Sequence, residues 1–244
     1  MRTIRRGNSP IQGNFAKYED AKNDLVSRLG IYCSYCERKI NTLLAVEHIE
    51  PKDGAFGKPQ LQCVWTNFLL ACINCNSCKG TKQVFIQDIL LPDRDNTYYA
   101  YEYKDDGVIE VRGTLSNAIK LKAESTLALV GLDKAQTKSL DENKQQVALD
   151  RVSQRMQMIA NAKDSLLLYE EAPIPNMLKM VIKQALADGF FSIWMKVFDA
   201  HPVVKIELIR AFNGVEASGC FDMTTASTIT PCPNSDQLPF GGKI

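Results

Sequence analysis

Four cysteines constrain this chain more than any other residues do. Cys33 and Cys36 form one C-x2-C pair, and Cys72 and Cys75 form a second, with 35 residues between them. Two such pairs close a tetrahedral set of four sulfurs, the ligand field that suits a structural Zn²⁺. The segment between the pairs is longer than a compact zinc ribbon needs, so something further is expected to be built within it. Cys78 extends the second pair to C-x2-C-x2-C. An iron–sulfur site of that pattern would want a fourth Cys at position 82, where Lys82 stands. The compartment fits metal rather than disulfides. The first ten residues, MRTIRRGNSP, carry charge with no apolar stretch behind them, unlike a secretory leader. No apolar run has the length of a membrane span. The expectation is a cytoplasmic chain with no membrane partner, whose eight cysteines stay reduced.

Between and beside the pairs lie groups with chemistry of their own. His48 is one of two histidines, and a neutral imidazole takes a proton from water near neutral pH. Glu47 offers carboxylate oxygen and Asn76 a neutral carbonyl oxygen, both donors for a hard divalent ion. Neighbours on a strand point to opposite faces. Glu47 and His48 therefore share a site only at a strand end or bend, and Pro51 supplies the break. In this reading zinc fastens Asn76 near the His48 loop, and a second ion does chemistry on a phosphodiester.

The order C-x2-C, Glu47-His48-Ile49-x-Pro51, Trp65-x-Asn67, then a second C-x2-C running into Asn76 and Lys79-Gly80, resembles the HNH endonucleases with their ββα-metal core. The resemblance implies that His48 is the general base and that Glu47 is a ligand of the catalytic ion. It implies that Asn67 fixes the loop and that Asn76 completes the ion site. Glu47 stands where Asp is more frequent, and Asn76 where His is common. Cys78 falls at a variable position and reads as a bystander to the zinc set. Nearly the whole chain is similar to the PtuB nucleases of Septu-type anti-phage systems, also found beside some retrons. The segments that carry this are YCSYCERKI, EHIEPK, LLACINCNSCKGTK, DRDNTYYAYEYKDDGVIEVRG and GFFSIWMKVFDAHP. That similarity implies a PtuA-like ATPase partner, nucleic acid (DNA in the first instance) as substrate, and Mg²⁺ or Mn²⁺ as the catalytic ion beside structural Zn²⁺. The alternative is a zinc-stabilised module that binds nucleic acid or protein without catalysis.

Charge adds a weaker hint. Residues 1–82 carry 12 Lys and Arg against 7 Asp and Glu; the rest carry 17 against 21. A basic first third suits a polyanion. Lys79 and Lys82 are candidates for phosphate contact, and a solvated face explains them equally well.

The elements follow from pattern. Residues 16–29 predict a helix ending at Gly30, 43–49 a strand, and a short helix after Asn76. Tyr98–Tyr103 and 108–112 predict a hairpin about Asp106-Gly107. From 115 to 212 the pattern is helical, with a stripe at Leu149, Val152, Met156, Ile159, Lys163 and Leu166 read as bundle packing, and Pro173 and Pro175 breaking the run. Residues 189–198 and 203–212 predict two more helices, with a loop-like tail after Ala217. The expected architecture is α+β and mostly α. Residues 1–112 are read as the nuclease domain with its zinc site and hairpin, and 113–244 as a helical domain for partner docking.

Overall fold

Cys72 ends one strand and starts one helix, and the fold of the first third turns on that position. Strand β1 (Ala45–His48) pairs antiparallel with β2 (Phe68–Ala71), with Glu47 opposite Leu69 and His48 opposite Phe68. β2 is buried along its whole length and runs straight into Cys72. The Cys72 thiol caps α2 (Ile73–Lys79) by accepting from the Cys75 N–H at 3.4 Å, so the helix begins before Asn76 rather than after it. In the computed structural model, which describes residues 1–134, 139–140, 146–148 and 150–244, these three elements form a ββα unit. A helix precedes it: a 3-10 turn over Tyr18–Ala21 leads into α1 (Lys22–Leu29), and Gly30 stops it.

Beyond the unit come α3 (Thr97–Ala100) and the hairpin of β3 (Tyr101–Tyr103) and β4 (Ile109–Val111). Tyr98 and Tyr99, read as strand, lie in α3, whose start Asn96 caps through its side chain at 3.1 Å. The hairpin loop is longer than an Asp-Gly turn: Lys104 N–H bonds the Val108 carbonyl, and Gly107 closes the inner turn. Then follow α4 (Asn117–Val130), a small antiparallel pair β5 (Ser139–Leu140) and β6 (Gln146–Ala148), α5 (Arg151–Glu171), α6 (Pro175–Asp188), α7 (Phe191–Val197) and α8 (Pro202–Ala211). The β5–β6 pair interrupts a stretch read as continuously helical.

The buried face of α5 is Val152, Arg155, Ile159 and Ala162, not the stripe read through Met156 and Lys163, which are exposed. Leu149, the stripe's first member, lies outside the described residues. The face rotates because Arg155 is drawn in to donate to the Gly107 carbonyl. Its cationic head is satisfied there, so its stem packs inward as an apolar residue would. The two prolines do break α5 from α6, as their missing N–H and fixed φ require.

One apolar core runs through all of this and across residue 112, from Phe68 and Leu70 to Phe191, Trp194 and Phe212. Gly189 shows how closely the parts meet: a Cβ there would lie 2.7 Å from the Glu37 carbonyl and the Lys39 nitrogen. Phe190 N–H then bonds the Glu37 carbonyl at 3.0 Å. The architecture is α+β and mostly helical, with small sheets and a four-cysteine cluster in the ββα unit. No helix among the described residues is long and apolar enough to cross a membrane.

Candidate functional site

The four cysteines converge. Sγ atoms of Cys33, Cys36, Cys72 and Cys75 all lie within 4.8 Å of one another, and all four residues are buried. Cys36 and Cys72 sulfurs are 3.7 Å apart. Sulfurs at the corners of a tetrahedron with Zn–S of about 2.3 Å are about 3.8 Å apart, so the cluster has the dimensions of a zinc site. The first pair sits in a tight knuckle, with Glu37 N–H on the Cys33 carbonyl and Cys33 N–H on the Arg38 carbonyl. Ser34 ties the knuckle to β2 by bonding Leu70 in both directions, at 2.8 and 3.3 Å. The thiols compete for charge. Hydrogen bonds from Cys33, Cys36 and Cys75 drive the Cys72 thiol strongly down, while Cys36 and Cys75 are pushed up. A divalent cation at the centre lets all four ionise. Cys78 is outside the cluster, with its sulfur near Lys134 and Arg151.

His48 closes β1 and lines a cleft of about 530 Å³ with Tyr18, Lys52, Asn76, Lys79 and Thr81. Its Nε2 is 2.8 Å from the Gln62 carbonyl. A carbonyl only accepts, so the neutral ring carries its proton on Nε2 and leaves the Nδ1 lone pair free. The ring is wedged edge-on between Tyr18 and Phe68, with centroids 4.9 and 5.3 Å away. Burial lowers its pKa below the ordinary value, and Lys52 and Lys79 push it the same way. The side chain is thus kept neutral and oriented, which is what a proton acceptor needs.

Asn67 stands behind this residue and locks the chain that leaves it. Its Oδ1 accepts from Glu50 N–H at 2.8 Å, and its Nδ2 donates to the carbonyls of Glu50 and Leu61 at 3.0 and 3.3 Å. Its own carbonyl accepts from Ile49 N–H. Asn76 is exposed on α2 and faces the His48 cleft, so the structure brings those two together.

Glu47 is placed differently. It is buried on the other face of β1 and does not line the cleft. Its Oε1 receives Lys79 Nζ at 3.2 Å and the Tyr35 hydroxyl at 3.3 Å, while Oε2 is buried with no hydrogen-bond partner. Burial raises the Glu47 pKa to about 7, against the pull of Lys79. The unsatisfied Oε2 fits a divalent ion, since carboxylate and amide oxygens are the donors that Mg²⁺ or Mn²⁺ takes. As folded, the Lys79 ammonium is the cation on that carboxylate.

Lys79 is the residue that the sequence reading misplaced. It is no surface lysine but almost fully buried, at 2% exposure. A signal existed. Lys79 lies three residues after Asn76 in α2, and residues three apart share a helix face. Gln62 carried no signal at all, because it acts through its backbone carbonyl.

Residues 33–82 match the family model of HNH endonucleases. That segment holds both cysteine pairs, β1, β2, α2 and every residue just placed except Tyr18, Lys134 and Arg151. The Vibrio cholerae serotype O1 biovar El Tor protein named "Retron Vc95 putative HNH endonuclease" is 29% identical over 113 residues. The match covers 43% of this chain and 53% of that protein, so the chain spans about half the length of this curated relative.

Proposed function

We propose that the chain is a metal-dependent endonuclease that hydrolyses phosphodiester bonds of nucleic acid, DNA in the first instance. The observation that carries this is the fixed tautomer of His48. Its Nε2 is committed to the Gln62 carbonyl, which leaves Nδ1 as the basic nitrogen of a residue that lines a cleft with Asn76 and three lysines. In this reading Nδ1 accepts a proton from the attacking water. Lys52, with the other lysines of the cleft, holds the phosphate. Asn67 keeps the loop from drifting, so the imidazole meets the water at one angle. Glu47 and Asn76 would hold Mg²⁺ or Mn²⁺, with Lys79 released from the carboxylate. The ion would supply charge stabilisation for the leaving oxygen. Zinc, held by four thiolates, has no open position for water and serves the fold.

The wider role is proposed from likeness. The named relative belongs to a retron, and the long similarity to PtuB nucleases supports anti-phage defence with a PtuA-like ATPase. Residues 1–112 would then carry the chemistry, and residues 113–244 the docking of that partner. Exposed Leu167, Leu168, Ile174 and Met180 on and between α5 and α6 are the apolar surface available for it. One observation favours the second reading, a zinc-stabilised binding module: the Lys79–Glu47 ion pair already sets a protein cation on Oε1 of the carboxylate. The deciding experiment is cleavage of DNA and RNA by wild type and His48→Ala, each with and without the ATPase. Loss of cleavage in His48→Ala is the expected result. Equal cleavage by both proteins takes His48 out of the chemistry, and absence of cleavage by either, with or without the ATPase, leaves the binding module as the better account.

A further inference from the structure

The loop that leaves His48 has a second cleft on its other side, of about 320 Å³. It lies at the small end of the range for small-molecule sites, ~300–1,000 Å³. Glu50, Asn67, Thr66 and Arg94 line it. Two phenylalanines flank it. Phe85 is 50% exposed and Phe240 is 60% exposed. They are far apart in sequence, and each stays about half-exposed.

The placement of Phe240 is built rather than accidental. Its backbone adopts φ +55°, a left-handed conformation that bulky residues rarely take. The segment around it is pinned at many points. Asn234 exchanges two hydrogen bonds with Leu238, and Gly242 N–H bonds the Arg94 carbonyl. Lys243 then stitches the two aromatic segments together. Its Nζ donates to the Phe240 carbonyl and, at 3.4 Å, to the Ile86 carbonyl, while pairing with buried Asp95 at 3.0 Å. A hydrogen-bonded frame thus holds two large apolar side chains about half-exposed to solvent.

The charges of the cleft narrow the ligand. Lys58 is paired with Glu50. The Arg94 guanidinium is spent on Asp93 and on the carbonyls of Thr66 and Pro239. Little cationic capacity remains for a phosphate, whereas the first cleft has Lys22 and Lys52. What the second cleft offers is two half-exposed phenyl side chains with polar groups beside them, including those of exposed Gln87 and Thr66. Flat heteroaromatic rings with hydrogen-bonding edges fit that surface, and exposed aromatic side chains are stacking platforms for unpaired bases.

We infer that this cleft binds an unpaired nucleobase, so that a single-stranded or locally opened strand is gripped on one side of the Asn67 loop and cut on the other. The inference rests on the nuclease reading for its substrate class, and it assigns Phe85 and Phe240 as the stacking residues.

The test measures binding apart from cleavage. Zinc-loaded full-length His48→Ala protein is titrated into a short single-stranded oligonucleotide carrying a fluorescent purine analogue, and into the matching blunt duplex. The analogue should be quenched on binding. Phe85→Ala and Phe240→Ala should each weaken single-strand binding roughly 5- to 150-fold. Duplex binding and zinc content should be unchanged, and Phe240→Trp should restore the quenching. Undiminished affinity in both alanine variants overturns the inference, as does the absence of single-strand binding by the parent protein. Alanine variants that lose a protein partner yet keep the quenched strand also overturn it, because the cleft would then be a protein site. The two readings fail separately. Stacking that needs both phenylalanines in a wild-type protein that never cleaves keeps the inference and removes the nuclease. Cleavage of every substrate unaffected by the phenylalanine changes removes the inference alone.

Discussion

Two clefts flank the loop between β1 and β2, and they are made in opposite ways. The His48 cleft takes most of its walls from residues 44–81, one continuous stretch that the four cysteines fold back on itself. The Phe85 cleft takes its walls from residues 50–67, 84–94 and 239–240, gathered from segments far apart in the chain. A metal staple lets one short segment bring its strand end and its helix together as the walls of a single site. A site without such a staple must borrow rigidity from the core, here through Lys243, Asp95 and the pinned tail. The first cleft should therefore depend on zinc and tolerate damage to the tail, and the second should show the reverse.

The largest effect expected is on the staple. Cys33→Ser or Cys75→Ser should abolish zinc binding and unfold the ββα unit, because structural zinc contributes roughly 10–16 kcal/mol of apparent binding free energy. Cys78→Ser should retain zinc, since its sulfur is outside the cluster. Elemental analysis and circular dichroism read both outcomes. Zinc lost from Cys78→Ser and kept in Cys75→Ser would reverse the assignment.

Next comes the chemistry. His48→Ala should slow cleavage by about two to four orders of magnitude at unchanged zinc content. The pH profile then separates His48 from Glu47. The His48 pKa lies below its ordinary value, so at saturating Mn²⁺ the rate should rise with pH in the acidic range and flatten before neutrality. Glu47 sits at about 7. A protonated carboxyl is a poor ligand, so below that pH more Mn²⁺ should be needed for half-maximal rate. Glu47→Ala and Asn76→Ala should raise the Mn²⁺ requirement at every pH. A Mn²⁺ requirement flat from pH ~5 to 8 would remove Glu47 from the ion site.

A smaller effect concerns Asn67. Asn67→Ala removes three side-chain hydrogen bonds to the loop. At roughly 1 kcal/mol net each, this should lower the melting temperature measurably and harm both clefts, since Asn67 stands between them. Damage confined to one cleft would show that they are independent.

The smallest effect should come from Lys243→Met. It frees the two phenylalanine segments, so single-strand binding should weaken while zinc content and the His48 pH profile stay as they were. A changed pH profile would show that the tail supports the first cleft as well.

The roles of particular residues were legible to different degrees. The zinc set, the strand before Pro51 and the position of His48 at its end follow from spacing and from residues whose chemistry is narrow. The start of α2 at Cys72 was legible only once its thiol was seen as a helix cap. The basic excess of the first third was read as a surface for a polyanion, yet Arg2 and Arg6 are buried, bonding the Leu29 and Phe68 carbonyls. Lys79 turned inward for the same reason: a buried acceptor, Glu47, waited for it. Sequence determined which thiols, imidazole and amides exist and how far apart they lie along the chain. That distance fixes geometry only over a turn of helix, a strand or a metal loop. The tertiary structure decided which charges face water and which face each other, because pairing depends on partners far away in sequence. It alone brought Phe240 and Phe85 to one cleft, since no local pattern relates segments joined through Lys243 and the pinned tail.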